Sequence, residues 1–212
     1  MSEYCCCKSD LTVAMFKVIP VTTPHVIPNE IGAICRLCED GDVQILHVRK
    51  PSFSLEEMRQ WIASVPSEFR LRLHLHDHFS LAYEFNIGGL HLNGRNPFAP
   101  GDFSGVLSAS CHSLEEVAVR LQTVDYVFLS PVFDSISKQG YKGSFSFDEL
   151  SNANINERVI ALGGITPENI SQIKKWNFGG AAIIGSLWNN FAKTGDTADL
   201  IKDYQALCFY HE

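Results

Sequence analysis

No stretch of this chain stays apolar for the roughly 18 residues that a membrane-spanning helix requires. Positive charge is also scarce. Seventeen lysines and arginines stand against 24 aspartates and glutamates, a net charge of -7 at pH 7. That leaves no basic footprint for nucleic acid or for an anionic membrane surface. The first residues lack the basic-then-apolar layout of a secretory signal, so the expected compartment is the cytoplasm. Cysteine itself is present seven times, at Cys5, Cys6, Cys7, Cys35, Cys38, Cys111 and Cys208. What is missing is an even number and a framework spacing, which predicts free thiols in a reducing compartment. Cys35 and Cys38 form a C-x-x-C, but no second pair follows to complete a tetrahedral zinc site. Ile31, Ile34, Cys35 and Cys38 share one helical face, so buried thiols are expected there. Residues 1–14 hold the triple cysteine and precede the first periodic segment, while Met15 directly precedes "FKVIPV". They read as an irregular appendage or as sequence upstream of the true start, and no function is assigned to them.

What the chain does have is a repeated alternation of short apolar runs with amphipathic stretches, the signature of parallel strands joined by helices. Eight runs qualify: "FKVIPV", "VQILHVR", "LRLHLH", "IGGLHL", "FSGVLSA", "VDYVFLSP", "RVIALG" and "GGAAIIG". Between them lie helical segments such as "SLEEMRQWIASV", "SLEEVAVRLQ" and "TPENISQIKKWN". Each opens on a Ser or Thr cap followed by acidic residues suited to the positive end of the helix dipole. The expected fold is a compact single-domain (β/α)8 TIM barrel over residues 15–212, with a doubly wound sheet as the competitor. The link "NGRNPFAPGD" is too short for a full crossover helix, so one helix should be reduced or missing.

In a barrel the active site lies at the C-terminal ends of the strands. Read in order, those ends give His47 and Arg49, His76 and Asp77, His91, Ser110 and His112, Ser135, Ser137 and Lys138, Gly163 and Gly164, and Gly185 with Ser186. The last two pairs follow strands seven and eight, where this fold commonly binds phosphate. Glycines there let main-chain N–H groups approach an anion with no Cβ in the way. Thr166, Pro167 and Glu168 read as the cap and first turn of the helix that follows.

These residues carry a resemblance. The chain is similar, from about Phe16 to Trp188, to the thiamine phosphate synthase and TenI superfamily of barrels, which handle a thiazole phosphate. The motifs that carry it are "LHVRKP", "LHDH", "GLHL", "SCHSLEE", "SPVFDSISKQG" and "LGGITPENI", in family order. The resemblance implies that Gly163, Gly164, Gly185 and Ser186 bind the thiazole phosphate. It also implies that Ser135, Ser137, Lys138, Arg49 and Ser110 line the anion-binding mouth.

The two branches differ in chemistry. The synthase joins a pyrimidine diphosphate to the thiazole phosphate, expels diphosphate, and uses Mg2+ to neutralise that leaving group. Asp77 matches one acidic ligand, but where the synthase pattern reads G-Q-E-D this chain has Asn93, Gly94, Arg95 and Asn96. Pro51 replaces the synthase lysine, with Lys50 beside it, and His47 replaces a glutamine, as in the TenI branch. A TenI-type tautomerase shifts a proton and needs an acid/base group, no metal and no cofactor. His112 matches that histidine, although it also reads as a helix-flanking hydrogen-bonding residue. The departures tilt the expectation slightly toward a tautomerase acting on a small phosphorylated substrate, with room for a homo-oligomer.

Two further classes compete. His74 and His76 alternate onto one face and, with Asp77, His78 and His91, could ligate a transition metal in a barrel hydrolase. Retained glycines with lost carboxylates could also leave a catalytically silent phosphate binder. Glu56 with Glu57 and Glu115 with Glu116 read as helix first-turn charges, and Trp61, Trp176 and Trp188 as packing residues.

Overall fold

The computed structural model describes residues 16–134 and 143–208. Residues 1–14, Ser135, Ser137 and Lys138 therefore lie outside the described residues. The eight expected strands all form: β1 (Lys17–Pro20), β2 (Leu46–Val48), β3 (Leu73–Leu75), β4 (Gly89–Leu92), β5 (Val106–Cys111), β6 (Tyr126–Leu129), β7 (Val159–Leu162) and β8 (Gly180–Ile183). All are parallel, in the order β1-β8-β7-β6-β5-β4-β3-β2. The ring closes where Val21 bridges His47 and the Thr22 N–H donates to the His47 carbonyl at 2.9 Å. Trp188 Nε1 ties the same edge by donating to the Val21 carbonyl at 2.8 Å. This is a single-domain (β/α)8 barrel.

The helices are α1 (Glu30–Glu39), α2 (Leu55–Ala63), α3 (Leu81–Phe85), α4 (Leu114–Arg120), α5 (Phe147–Asn152), α6 (Ile170–Lys175), α7 (Gly185–Thr194) and α8 (Thr197–Cys208), with a 3-10 turn over Ser67–Arg72. No helix lies between β4 and β5, as the short link required. The expected cap signals work at α2 and α4: Ser54 closes a capping box with Glu57, and Ser113 accepts from the Glu116 N–H. At α6 the regular helix begins at Ile170, one turn later, but Thr166 still opens that turn: its carbonyl accepts from the Ile170 N–H at 3.1 Å and its N–H donates to Asn169 Oδ1, while Asn169 Nδ2 donates to the Gly164 carbonyl. No helix among the described residues is long and apolar enough to cross a membrane.

Strand alternation sorts side chains into two layers. Outward residues such as Leu46, Val48, Leu73, Leu75, Leu90, Val127 and Ala161 are sealed under the helices in one continuous core. Each fully buried Leu, Ile or Val there contributes on the order of 1.5–3 kcal/mol. Trp61 and Trp188 join that core, as does Trp176, whose Nε1 donates to Ser151. Cys38 is buried in it with Ala33, Ile34 and Leu37, whereas Ile31 and Cys35 sit at its edge. Inward residues form two dissimilar arcs. Ile19, Val21, Phe128, Ile160 and Ala182, from β1 and β6–β8, make an apolar arc. His47, His74, His76, His91 and Ser108, from β2–β5, are equally buried and polar. Gly89 is a glycine because the His74 ring lies where its Cβ would stand.

Candidate functional site

The polar arc forms a connected floor beneath the barrel mouth. Tyr126 Oη lies 2.9 Å from His74 Nδ1 and 2.6 Å from His47 Nε2, and His47 Nδ1 lies 2.9 Å from His76 Nε2. With each imidazole neutral, the protons along this chain can run in either direction and leave every member paired. A second chain joins Ser108, His91 and Ser110: His91 Nδ1 lies 2.9 Å from the Ser108 hydroxyl and Nε2 lies 2.8 Å from the Ser110 hydroxyl, with Ser108 also 3.3 Å from the Leu90 carbonyl. The His76 and His91 rings stack with centroids 4.1 Å apart.

Burial keeps these histidines neutral. It pushes His74 and His91 down to about 3, and it drives His47 and His76 well below the ordinary 6.5, with neighbouring imidazoles adding to the effect. Nitrogens of His47, His76 and His91 approach within 4.8 Å of one another, a spacing compatible with a metal ion. Both nitrogens of His47 and of His91 are, however, occupied by the hydrogen bonds just described. The set anticipated for a hydrolase is dispersed: His74 turns to Tyr126, Asp77 to Arg95, and His78 Nε2 to the Phe53 carbonyl at 2.7 Å.

Above this floor, the ends of β2–β4 carry the charge. Asp77 is clasped by Arg95 through Nε and Nη2 at 3.0–3.1 Å, and Asn96 Nδ2 donates to its Oδ1 at 3.0 Å. Asn93 organises the turn, its Oδ1 accepting from the Arg95 and Asn96 N–H groups while its amide donates to the His76 carbonyl. Arg49 is half-buried and close enough to feel both Arg95 and Asp77, yet its guanidinium forms no hydrogen bond or ion pair among the described residues. Lys50 does not reach the mouth. Its Nζ is fully buried at 2.6 Å from Glu30, and it also donates to the Thr23 and His25 carbonyls, a structural role that pins the loop after β1.

At the end of β5, His112 is exposed and its Nδ1 lies 3.0 Å from the Ser130 carbonyl. A carbonyl only accepts, so Nδ1 carries a proton and donates it. The Ser110 hydroxyl lies one strand position below.

The β7 and β8 ends lie side by side, with Leu162 opposite Ala182, so Gly163–Gly164 and Gly185–Ser186 emerge as neighbours. Gly163 and Gly164 have φ of 105° and 65°, the left-handed region that glycine alone enters freely. A Cβ on Gly164 would strike the Asp134 carbonyl and the Phe133 side chain, and one on Gly163 would press on Pro131. Packing against the β6 loop therefore demands these glycines, a stricter reason than the open approach to an anion read from the sequence. Beside Gly164 a cleft of about 470 Å³ opens between residues 132–134, Gly143, Phe145 and Asn169. Ser186, second residue of α7, holds the only buried side-chain polar atom among the described residues that has no partner.

Sequence reading missed Tyr126, Ser108 and Arg95. Tyr126 and Ser108 were legible as inward positions in "DYVFL" and "VLSAS" once the strand register was fixed. The clasp of Arg95 on Asp77 bridges 18 residues and left no local signal.

Comparison with known proteins agrees with this architecture. A family model described as "Thiamine monophosphate synthase" matches residues 18–187. A thiamine-phosphate synthase from Nitrosococcus oceani is 25% identical over 183 residues, covering 80% of this chain and 84% of that protein. One from Listeria monocytogenes is 25% identical over 185 residues, again covering 80% and 84%. Among solved structures, thiamine phosphate pyrophosphorylase from Bacteroides thetaiotaomicron superposes with a TM-score of 0.79 at 39% identity, covering 91% of this chain and 95% of that one. With the eight-stranded barrel and its polar mouth already in place, the match over most of its length makes this chain a member of the thiamine monophosphate synthase family.

Proposed function

We propose that this chain is a thiamine phosphate synthase, joining a pyrimidine diphosphate to a thiazole phosphate in the cytoplasm. The sequence alone leaned toward the tautomerase branch on the strength of His47 and the missing carboxylate. The relatives matched over four-fifths of the chain carry synthase names. His47 is sealed beneath the mouth with both nitrogens engaged, so it does not mark a proton-shift site. The four described cysteines are free, in keeping with a reducing compartment.

What supports the reading is a mouth whose opposite arcs each offer groups suited to an anion. On one arc the β7 and β8 ends present Gly163, Gly164, Gly185 and Ser186. The first N–H groups of α7 have no intrahelical acceptor, and the partnerless Ser186 hydroxyl beside them suits a phosphate oxygen. On the other arc Arg49 offers a guanidinium without an ion-pair partner among the described residues. A condensation of two phosphorylated substrates needs two such subsites, and the synthase names of the relatives favour it. Ser135, Ser137 and Lys138 are proposed to complete the mouth. Ser110 and His112 stand between the subsites and would orient the reacting rings, and the His76–His91 pair forms the pocket floor. Because that floor is neutral, it neither attracts the phosphoryl groups nor offers them a proton.

The family's cofactor in this reading would be Mg2+, which neutralises the departing diphosphate. The protein donors present do not fit it. Asp77 Oδ1 already accepts from Arg95 Nε, Arg95 Nη2 and Asn96 Nδ2, and Asn96 supplies a donor where a second carboxylate would be needed.

The reading is tested by incubating the protein with both substrates and following thiamine phosphate and released diphosphate, with the thiazole carboxylate tautomer supplied in a parallel reaction. Thiamine phosphate formation is the expected result. Tautomer conversion with no thiamine phosphate would overturn it.

A further inference from the structure

We propose that Arg95 does the work of a divalent cation in this chain, so that diphosphate is bound and expelled through two guanidiniums, Arg49 and Arg95. The inference rests on the synthase reading and deepens it.

The geometry supplies the argument. Arg95 leaves the Asn93–Asn96 turn and lies over Asp77 with both oxygens engaged, at 3.0 Å from Nη2 to Oδ1 and 3.0 Å from Nη2 to Oδ2. Its side chain is nonetheless 49% exposed, and its contacts to Asp77 use Nε and Nη2, which leaves Nη1 without a partner among the described residues. Asp77 is largely covered, at 11%. It therefore acts as a hook that aims the fork, while the free edge keeps N–H donors for a ligand. Arg49 stands close enough for like-charge repulsion with Arg95 to register on it. Arg95 pairs with Asp77, and with Arg49 near them at the end of β2 the three groups carry a formal charge of +1, which favours an anion. A diphosphate carries several negative charges and oxygens at the spacing that bidentate guanidinium recognition favours. Asn96 agrees with this: an amide donates to Asp77 and adds no negative charge to repel the ligand.

The chemistry balances without a metal. The bond from the pyrimidine methylene carbon to the diphosphate oxygen breaks, its electron pair leaving on that oxygen. The lone pair of the thiazole nitrogen forms the new C–N bond and leaves the ring cationic. No oxidant is consumed and no proton need be transferred. Charge appearing on the leaving oxygen is met by fixed positive groups, as in other sites where arginine stabilises developing phosphoryl charge.

The experiment titrates inorganic diphosphate into the full chain by calorimetry, once in excess EDTA and once in Mg2+. Expected is binding in EDTA, with affinity changed by less than about threefold on adding Mg2+. Arg95→Gln should weaken EDTA-phase binding by about tenfold or more, the scale of a lost charge-assisted bidentate contact, and Arg95→Lys should fall between. Arg95→Glu combined with Asn96→Asp should restore an acidic pair and make diphosphate binding depend on Mg2+. Far-ultraviolet circular dichroism of each variant separates misfolding from loss of the subsite. No wild-type binding in EDTA, or an unchanged Arg95→Gln, overturns the proposal. Metal-free diphosphate binding with no thiamine phosphate formed from the two substrates leaves the cationic subsite standing and rejects the synthase reading instead.

Discussion

The two arcs inside this barrel are equally dry and chemically opposite. Ile19, Val21, Phe128, Ile160 and Ala182 need nothing from their neighbours except contact. His47, His74, His76, His91 and Ser108 are buried to the same degree, and each must find a hydrogen-bond partner or impose a desolvation penalty. The structure meets that demand by wiring the polar arc into two chains that end below the mouth, and the apolar arc holds it in place: the Phe128 ring lies 4.5 Å from that of His47 and 4.8 Å from that of His91, centroid to centroid. One arc supplies bulk and the other orientation. The strand ends follow suit, with charged side chains above the polar arc and glycine-bearing turns above the apolar one.

Acid should break the comparison first and most severely. His74 and His91 ionise at about 3 when folded and at about 6.5 when the chain is open, so between these values the unfolded chain binds more protons. Stability is therefore complete above pH 6.5 and is lost as pH falls toward 3. By pH 5 the loss is about 2 kcal/mol for each of the two, and His47 and His76, displaced in the same direction, add to it. Against a typical total of about 5–15 kcal/mol this brings the domain near unfolding. Urea midpoints measured from pH 7.5 to 5 should fall steeply, and His91→Gln should flatten the slope. A midpoint independent of pH would mean that the polar arc is open to protons in the native state.

How much of this was legible in the sequence follows from the range over which each feature is specified. All eight strands and the absent β4–β5 helix were visible because apolar alternation and linker length are local properties. His76, His91, Arg49 and Asp77 were recognised as strand-end residues by the same logic. Whether such a residue faces the mouth or the floor was not visible: His47 and Arg49 are two positions apart and both inward, yet His47 is sealed and Arg49 reaches the rim. That difference depends on Tyr126 and His76, which lie 79 and 29 residues away. The regular part of α6 begins one turn after Thr166, whose carbonyl accepts from Ile170 and whose N–H is held by Asn169. Lys50 stands beside the position of the synthase lysine in sequence, but a buried Glu30 captures it.

A substitution in the apolar arc should be milder than acid and uniform in pH. Phe128→Ala removes a fully buried ring and should lower stability by about 3–5 kcal/mol at any pH between 7 and 8, read from denaturant unfolding. Its effect on the opposite arc sharpens the comparison. With the ring gone, His47 and His91 lose their packing partner, so their exchange with solvent protons should become detectable by proton NMR titration. If both histidines remain silent in the variant, the polar chains hold themselves and the apolar arc is only filling.

The smallest effect distinguishes scaffold from ligand site at the β7–β8 ends. Gly164 is unsuitable for this purpose, because any side chain there strikes the Asp134 carbonyl and would disturb the loop before it disturbed a ligand. Ser186 is suitable. Its hydroxyl is buried and has no partner among the described residues, so Ser186→Ala removes an unsatisfied group and should leave thermal stability unchanged or raised by up to about 1 kcal/mol. In a phosphate complex the same hydroxyl would be a donor, and its loss should weaken binding of the thiazole phosphate by several-fold, equivalent to about 1 kcal/mol. The two readouts therefore move in opposite directions if α7 opens on a phosphate. Should stability fall and affinity hold, the hydroxyl has a structural partner in solution, and the anion subsite belongs to the other rim of the barrel.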